Sequence, residues 1–321
     1  MANVTNLAIR FLALSARNGS TLLATGIFGG LLVPPLARAM VWFITPNVVL
    51  LVTLVLLRVD IPQAFSHLRR PGRLALIVAF EMLVAPFIAA GCVAVVRIDP
   101  VTAAGVVIFA TGAAATSGAA FARLVGLDPE LTLLATLASI FLVPLTGPPL
   151  AHFLAGVDLH IGVVAFMGRL ALVVGLPLIA SLGLRRVVGA ERLAPLGPAL
   201  DGAVVWLVVF YGFAVMDGMQ ARLMADPGWV LEAIIVAFIA DFGLNAVTTL
   251  AFLWMGWRSA ASAGLMAGNR NMALYLAVLP AGADPRIALF FALVQVPLFL
   301  SPFALGPIYR RISNRLRPSP T

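Results

Sequence analysis

Three ionisable side chains, those of Glu81, Asp241 and Arg270, lie inside long apolar runs of the sequence. An uncompensated charge at the centre of a bilayer costs about 3 kcal/mol or more, so a residue that keeps one there usually binds an ion, a substrate or a proton. Arg270 stands in the stretch "AGLMAGNRNMALYL", where an asparagine flanks it on each side. This pattern makes Arg270 a candidate functional residue within the membrane.

The elements that must position these side chains are membrane helices. The chain has 321 residues, of which 62% are hydrophobic and 11% are charged. A soluble domain of this length could not bury so much apolar surface, because most of its surface would have to tolerate water. The composition therefore predicts an all-α polytopic membrane protein, with the lipid bilayer as its surroundings.

Apolar windows of about 20 residues, bounded by charges or by Gly and Pro clusters, predict ten transmembrane helices. They run at approximately 20–43, 46–60, 74–96, 101–123, 130–154, 160–184, 199–220, 229–256, 260–279 and 285–308. The loops between them are short, so residues 1–321 are predicted to form a single transmembrane domain.

The arginine residues indicate the orientation of these spans. All 21 basic residues are arginines, and most of their clusters fall on one side of the predicted bundle. Short cytoplasmic loops carry such an excess, so both termini are predicted to be cytoplasmic. The membrane itself is expected to be a bacterial inner (plasma) membrane. The net charge of +8 has the same explanation and does not indicate nucleic-acid binding.

The ten spans divide into two halves of five, at approximately 20–154 and 160–308. A five-span half inserted twice takes opposite orientations, which is the inverted-repeat arrangement of secondary transporters. Span 4 is interrupted by "ATGAAATSGAAFA" at 110–122 and span 9 by "MAGNRNMA" at 266–273. Spans 4 and 9 are therefore predicted to be broken helices that cross and form a binding site, although small residues also occur as helix-packing faces.

The sequence contains no signature of an enzyme. It has no HExxH zinc motif, no GxSxG nucleophile elbow and no pair of intramembrane aspartates in a GxGD context. Its one cysteine, Cys92, provides neither a disulfide nor a cysteine-based metal site. The chain is therefore predicted not to be an enzyme and to need no organic cofactor.

Several stretches resemble the bile acid:sodium symporter superfamily. The run "TSGAAFARLVGLDPELTLLATLASIFLVPLTGP" resembles that family's glycine-rich crossover and the helix after it, and "GNRN" resembles the second crossover. In span 3, "FEMLVAP" resembles a Q-x-x-x-x-P segment, and "FITPNVVLLVTLVLLRVDIPQAFSHLRRP" resembles the region from span 2 to span 3. The resemblance extends from about residue 20 to about residue 312 and identifies the chain as a divergent, bacterial-type member.

In that family, sodium ions occupy two sites at the crossovers, and this sequence departs from both. The resemblance places the first site at Ser117, Thr132 and Thr136, with Gly118 where the family has an asparagine. The glutamate that serves both sites falls at Met266, which offers no oxygen ligand to a hard cation. The first site is therefore expected to bind sodium weakly, and whether sodium is needed at all is left open.

At the second site, the resemblance places Glu81 and Arg270 where the family has glutamines. A guanidinium would repel sodium, but the two changes have opposite charge at positions that the family brings together. We therefore expect an ion pair, with the two side chains within hydrogen-bonding distance, in place of the second sodium ion. Coupling would then be absent or pass to protons through Glu81 or Asp241, of which Asp241 has no obvious partner and is the better carrier.

The leading hypothesis is alternating-access transport of a small organic anion, such as a bile acid, a sulfated steroid or pantoate. The expected binding residues are Thr116, Ser117, Asp241, Asn269, Arg270 and Asn271. One alternative is a sodium-coupled anion symporter that retains a weak site at Ser117, Thr132 and Thr136. Another is a non-transporting receptor or scaffold, in which the Glu81–Arg270 pair only locks the helix bundle.

Overall fold

The computed structural model describes residues 9–15, 19–59, 71–157, 160–280 and 282–315. Within these ranges the chain is helical and forms no β-strand, only one isolated β-bridge. The structure confirms the all-α class that the composition predicts. Helices are favoured in such a chain because they satisfy their own backbone hydrogen bonds inside a bilayer.

The helices differ widely in length. Up to residue 154 they are α1 (9–15), α2 (Gly19–Leu32), α3 (Pro34–Met40), α4 (Ile44–Arg58), α5 (Pro71–Ala79), α6 (Ala85–Val95), α7 (Pro100–Thr111), α8 (Gly118–Val125) and α9 (Pro129–Leu154). From residue 163 they are α10 (Val163–Val188), α11 (Ala190–Leu193), α12 (Gly197–Ala214), α13 (Met219–Ala225), α14 (Pro227–Ala251), α15 (Trp257–Gly268), α16 (Met272–Leu276), α17 (Pro285–Leu293) and α18 (Gln295–Arg315). The short turns are 3-10 helical at Val41–Phe43, Ala194–Leu196 and Leu253–Met255, and π-helical at Phe80–Val84.

Aspartate followed by proline starts three of these helices. At the beginning of α7, α9 and α17, the carboxylates of Asp99, Asp128 and Asp284 accept backbone N–H groups of the first turn. The shortest of these bonds joins Arg286 N to Asp284 Oδ1 at 2.8 Å. Proline is well suited to the next position, because its missing N–H would be unpaired there. The pair therefore sets where α7 begins, and α7 leads directly into the candidate site.

Seven helices of the described residues are long and apolar enough to cross a membrane. They are Pro34–Arg58, Pro71–Val95, Pro129–Leu154, Val163–Val188, Gly197–Ala225, Pro227–Ala251 and Pro285–Ile312. Predicted span 1 is not among them, because α2 has only 14 residues. Predicted spans 4 and 9 are not among them either, because the residues of each form two short helices: α7 and α8 have 12 and 8 residues, and α15 and α16 have 12 and 5. The topology of ten spans in two inverted halves stays a prediction, as does the orientation of the termini, which lie outside the described residues.

One predicted boundary is wrong. Span 1 is predicted to end at residue 43 and span 2 to begin at residue 46, but the chain is helical from Pro34 to Arg58. The interruption lies earlier, at Val33, directly before Pro34. Pro46 is tolerated because it lies in the first turn of α4, where a missing N–H costs little.

Large apolar side chains are exposed along several of the long helices. Phe153 of α9 is 78% exposed, and Val164 and Ile179 of α10 are 82% and 71% exposed. A water-soluble protein rarely presents such continuous apolar surface, whereas lipid chains solvate it well. These faces support an integral membrane protein.

The chain forms two compact units. The first comprises Met1–His67, Arg169–Pro227 and Leu276–Val278. Within it, α2 and α12 approach closely at glycines: an added Cβ at Gly26 would lie 2.6 Å from the carbonyl oxygen of Val209. Such small-residue contacts are typical of helix pairs in membranes.

The second unit comprises Leu68–Gly168, Gly228–Tyr275 and Leu279–Thr321. It contains Glu81, Asp241 and Arg270, the three charged residues that are fully buried in the described part of the chain. Each unit combines segments from both halves of the sequence, so the units do not coincide with the predicted repeats. The candidate site lies within this second unit.

Candidate functional site

Two gaps between helices lie in the second unit. Helix α7 ends at Thr111 and α8 begins at Gly118, while α15 ends at Gly268 and α16 begins at Met272. The gaps fall in the two stretches of small and polar residues that the sequence analysis selects. Their backbone groups cannot pair within their own helices, so in an apolar interior they need partners from elsewhere in the protein.

The two gaps pair with each other in a short antiparallel bridge. The N–H of Ala115 donates to the carbonyl oxygen of Asn269 at 2.8 Å, and the N–H of Asn271 donates to that of Ala113 at 2.7 Å. The backbone of Arg270 lies between these two bonds. The crossing therefore satisfies part of the freed backbone and fixes the point from which the Arg270 side chain extends.

Small residues make this crossing possible. An added Cβ at Gly112 would meet the side chain of Met272, and one at Gly268 would lie 2.5 Å from the carbonyl oxygen of Asp241. Ser139 of α9 braces the first gap, because its hydroxyl accepts a hydrogen bond from the N–H of Ala114 at 3.0 Å. Glycine is needed here for close approach of neighbouring atoms.

The guanidinium of Arg270 is fully buried and donates to three backbone carbonyl oxygens. The Nε–H donates to Ala267 at 2.8 Å, Nη1 to Gly112 at 2.9 Å and Nη2 to Glu81 at 3.1 Å. Ala267 lies in the last turn of α15, and Gly112 directly follows α7. Both carbonyls belong to helix C-termini, where partial negative charge collects and no intrahelical donor is available.

The third carbonyl is free because of a π-helical turn followed by a proline. In the turn Phe80–Val84, the N–H of Ala85 donates to Phe80, five residues earlier. The next N–H in that register would donate to Glu81, but residue 86 is proline and has none. Arg270 supplies the missing donor. The spacing from Glu81 to Pro86 thus creates an acceptor, and π-turns of this kind often occur at functional sites.

The contact between Glu81 and Arg270 differs from the predicted ion pair. The guanidinium meets the backbone oxygen of Glu81, and neither carboxylate oxygen of Glu81 has a hydrogen-bond partner among the described residues. The expectation of a direct bond between the two side chains is therefore wrong in this structure. The reason is that the three carbonyls already satisfy one N–H on each guanidinium nitrogen and hold the group against the helix ends.

Asp241 is the second buried carboxylate. It lies on α14, is fully buried, and neither of its carboxylate oxygens has a hydrogen-bond partner among the described residues. An added Cβ at Gly268 would lie 3.0 Å from its Oδ1, so the carboxylate faces the end of α15. That end carries partial negative charge, which does not stabilise an ionised carboxylate.

Two asparagines connect this region to α18. The hydroxyl of Ser301 donates to Asn269 Oδ1 at 3.2 Å, and that of Tyr309 donates to Asn245 Oδ1 at 2.9 Å. The Nδ2 groups of both asparagines are buried without a partner in the described part of the chain. Asn271 is also buried, with 8% of its surface exposed. Of the predicted binding residues, Asn269, Arg270 and Asn271 lie together at the crossing of the two gaps.

The residues of the predicted first sodium site lie near the other gap. Thr132 and Thr136 are one turn apart on α9, and an added Cβ at Gly118 would lie 3.1 Å from Thr132 Cγ2 and 3.6 Å from Thr136 Oγ1. The Thr132 hydroxyl donates to the carbonyl of Asp128 at 2.7 Å, whereas that of Thr136 has no partner among the described residues. Ser117 is partly exposed and directly precedes Gly118 in the sequence.

The described residues offer no site for a metal ion that needs several charged or imidazole ligands. Within the described residues, no group of three or more His, Cys, Asp or Glu side chains could hold one. Met266, at which the resemblance places the family's glutamate, is buried with 1% exposure. A monovalent cation at Thr132 and Thr136 would therefore depend on hydroxyl and carbonyl oxygens.

Two structural supports of the site were not predicted from the sequence. One is the π-helical turn, whose only signal is Pro86 five residues after Glu81. The other is Tyr275 of α16, whose hydroxyl lies 2.8 Å from the Thr111 hydroxyl at the end of α7. Gly147 of α9 leaves room for that ring, since an added Cβ there would collide with the Tyr275 hydroxyl. No local pattern indicates this contact.

Comparison with known proteins gives one family. Residues 45–220, more than half of the chain, match the Sodium Bile acid symporter family. The matched part contains Glu81, the first gap and the Thr132–Thr136 pair, while Asp241 and Arg270 lie beyond it. No individual curated protein matches the chain.

Proposed function

The chain belongs to the sodium bile acid symporter family, and we propose that it is a secondary transporter that moves a small organic anion by alternating access. Its family consists of membrane transporters rather than enzymes. In the proposed mechanism, ten spans form two inverted halves, and the broken spans 4 and 9 cross at the substrate site. The bilayer and the anion are its partners.

One observation carries the proposal: the buried guanidinium of Arg270 lies among three carbonyl oxygens at 2.8–3.1 Å. Carbonyl oxygens at helix ends are also the ligands that a hard cation takes. An arginine in this place supplies the positive charge in covalent form, and it neither dissociates nor loses its proton. We therefore propose that Arg270 replaces one sodium ion, with Glu81 balancing its charge without a direct side-chain bond.

The fixed charge also favours an anionic substrate. Thr116 and Ser117 are partly exposed directly before α8, whose N-terminus adds partial positive charge. Their hydroxyl and backbone N–H groups can bind a carboxylate or a sulfate. Arg270 has no exposed surface, so we propose that it attracts the anion through its charge and positions Asn271, rather than contacting the anion itself.

A second candidate, sodium-coupled symport of the same anion, is favoured by Thr136. Its hydroxyl is buried without a partner in the described residues, one turn from Thr132 and close to Gly118, which follows the partly exposed Ser117. An unpaired buried hydroxyl is costly, and a sodium ion bound there would remove that cost. The two candidates differ only in whether this first site still holds sodium.

Ligand-dependent stability of the purified protein tests both candidates. Taurocholate, estrone sulfate and pantoate are added in sodium chloride or in choline chloride of equal ionic strength, and the unfolding temperature is recorded. A bound anion at 100 times its Kd stabilises the folded state by about 2.7 kcal/mol. We expect at least one anion to give the same gain in both salts.

Two sets of variants complete the test. Arg270→Lys keeps the positive charge and should retain more of the anion affinity than Arg270→Gln, which removes the charge. A gain that appears only in sodium, and that Thr132→Ala with Thr136→Ala abolishes, would support the second candidate. Absence of any gain with all three anions in both salts would contradict the proposed function.

A further inference from the structure

The buried charges of the second unit do not balance. Glu81, Asp241 and Arg270 are the fully buried charged residues of the described chain, each with 0% exposure. Arginine keeps its proton under all conditions that a folded protein experiences. When both carboxyls are ionised, the three groups together carry one uncompensated negative charge. In an apolar interior this charge needs a bound cation or a proton.

The uncompensated charge belongs to Asp241 rather than Glu81. Arg270 Nη2 lies 3.1 Å from the backbone oxygen of Glu81, so the guanidinium is beside that residue. Its other donors point to the carbonyls of Ala267 and Gly112. Among the described residues, neither oxygen of Asp241 has a hydrogen-bond partner and no ion pair includes it.

The titratable groups that surround Asp241 offer no counter-charge. On α15, the backbone at Gly268 faces Asp241. On α18, the nearby titratable group is Tyr309, whose hydroxyl donates to Asn245. From α6, Cys92 lines an apolar cavity of about 240 Å³ together with Ala240, the residue before Asp241. On α14 itself, Glu232 lies more than two turns away and accepts the backbone N–H of Asp99 at 2.9 Å.

A proton fits this environment better than a sodium ion. Sodium takes several oxygen ligands, but the side-chain oxygens of Asn245 and Asn269 already accept hydrogen bonds from Tyr309 and Ser301. The unpaired atoms of the two asparagines are Nδ2 donors, which repel a cation. A proton needs only the carboxylate itself.

We propose that Asp241 is a proton-binding site and the group that couples anion transport to protons. Binding of the proton rests only on the geometry of Asp241. The coupling role rests on the proposed function, because it needs an anion that moves through the same protein. In the protonated form, the three buried groups carry no net charge, and Asp241 becomes able to donate a hydrogen bond.

Infrared difference spectroscopy of the full-length protein in lipid vesicles tests the proton site, with the proton itself as the probe. On acidification, a carboxylic acid without a hydrogen-bond acceptor gives a distinct carbonyl stretching band. We expect this band in the wild type, its loss in Asp241→Asn and its retention in Glu81→Gln, which is the matched buried carboxyl. Asp241→Glu keeps a carboxyl group and should shift the band. This variant serves as the test if the asparagine variant does not fold.

Three results would overturn the proton site: a band that survives in Asp241→Asn, a band lost in Glu81→Gln instead, or no band at any pH at which the wild type stays folded. The coupling role is tested separately by a pH-sensitive dye inside the vesicles during taurocholate or pantoate uptake. Proton movement that Asp241→Asn abolishes supports coupling, and anion uptake without proton movement refutes it. A band that follows Asp241 while no anion binds would leave the proton site standing and refute the proposed function.

Discussion

Replacement of Arg270 tests the central contact of the site. Arg270→Gln removes a guanidinium that donates to the carbonyls of Ala267, Gly112 and Glu81. A hydrogen bond that involves a charged group contributes about 1.5–3 kcal/mol, so three contribute about 5–9 kcal/mol. The glutamine amide can retain one of them, which leaves a loss of about 3–6 kcal/mol, and the desolvation cost that disappears with the guanidinium is offset by the buried carboxylate charge that is left uncompensated. We therefore expect a net loss of about 3–5 kcal/mol, as in other broken buried charge contacts.

The effect of Glu81→Gln should be much smaller. This change leaves the backbone oxygen of Glu81 in place, and with it all three hydrogen bonds of Arg270. The attraction of this carboxylate to Arg270 is lost, but so is the cost of burying a carboxylate without a hydrogen bond, and we expect a net cost of about 1 kcal/mol, the centre of the range for single substitutions. A direct ion pair between the side chains would instead make the two variants similar in cost.

The free energy of unfolding can be measured in mixed micelles, with the helical circular dichroism signal followed as sodium dodecyl sulfate is added. Arg222→Gln is the matched control, since Arg222 forms an i,i+4 pair with Asp226 that is partly exposed and should cost at most about 1 kcal/mol. The stabilising role of the three Arg270 hydrogen bonds is refuted if the free energy of unfolding of Arg270→Gln lies within about 1 kcal/mol of the wild type. It is also refuted if Glu81→Gln and Arg270→Gln cost the same.

Two further changes probe the supports of the crossing by the same unfolding measurement. Gly268→Ala should cost about 1–3 kcal/mol, because its Cβ would lie 2.5 Å from the carbonyl oxygen of Asp241, whereas Gly72→Ala, with nothing within 4 Å of the added Cβ, should be neutral or stabilising; equal effects would contradict the close approach. Tyr275→Phe should cost about 1–2 kcal/mol by leaving the buried Thr111 hydroxyl with one partner fewer, and a neutral result would show that this hydrogen bond does not hold α7 against α16.

The class of fold can be predicted from the sequence because it depends on composition and on the length of apolar runs. The helix expected at 130–154 is Pro129–Leu154, and the one expected at 229–256 is Pro227–Ala251. The starts of these two helices can be predicted from the local sequence, because a proline marks each of them. The boundary expected between residues 43 and 46 is wrong because Pro46 lies in the first turn of a helix, whereas a proline in another context marks a turn.

The candidate site is predictable only in part. Residue types reveal that Arg270 is a charge in an apolar run, and glycines reveal where the chain leaves its helices. What Arg270 contacts does not follow from residue types, because all three acceptors are backbone oxygens. The three carbonyl oxygens are free to accept because α7 and α15 end there and because of the π-helical turn. Their convergence on Arg270 depends on how segments that are distant in sequence pack together. Side-chain pairing was therefore the wrong model for the contact between Glu81 and Arg270.

A fixed guanidinium in place of sodium would change the energetics of the transport cycle that we propose. A bound sodium ion leaves on the side where sodium is scarce, and the charge of the site falls when it does. The charge of Arg270 is the same in every state of the cycle, because the guanidinium neither dissociates nor deprotonates. A contribution that is equal in two states shifts no equilibrium between them. Arg270 can therefore raise anion affinity but cannot drive accumulation, which must come from the anion gradient, from the membrane potential, or from a buried group that changes its charge, for which Asp241 is the candidate.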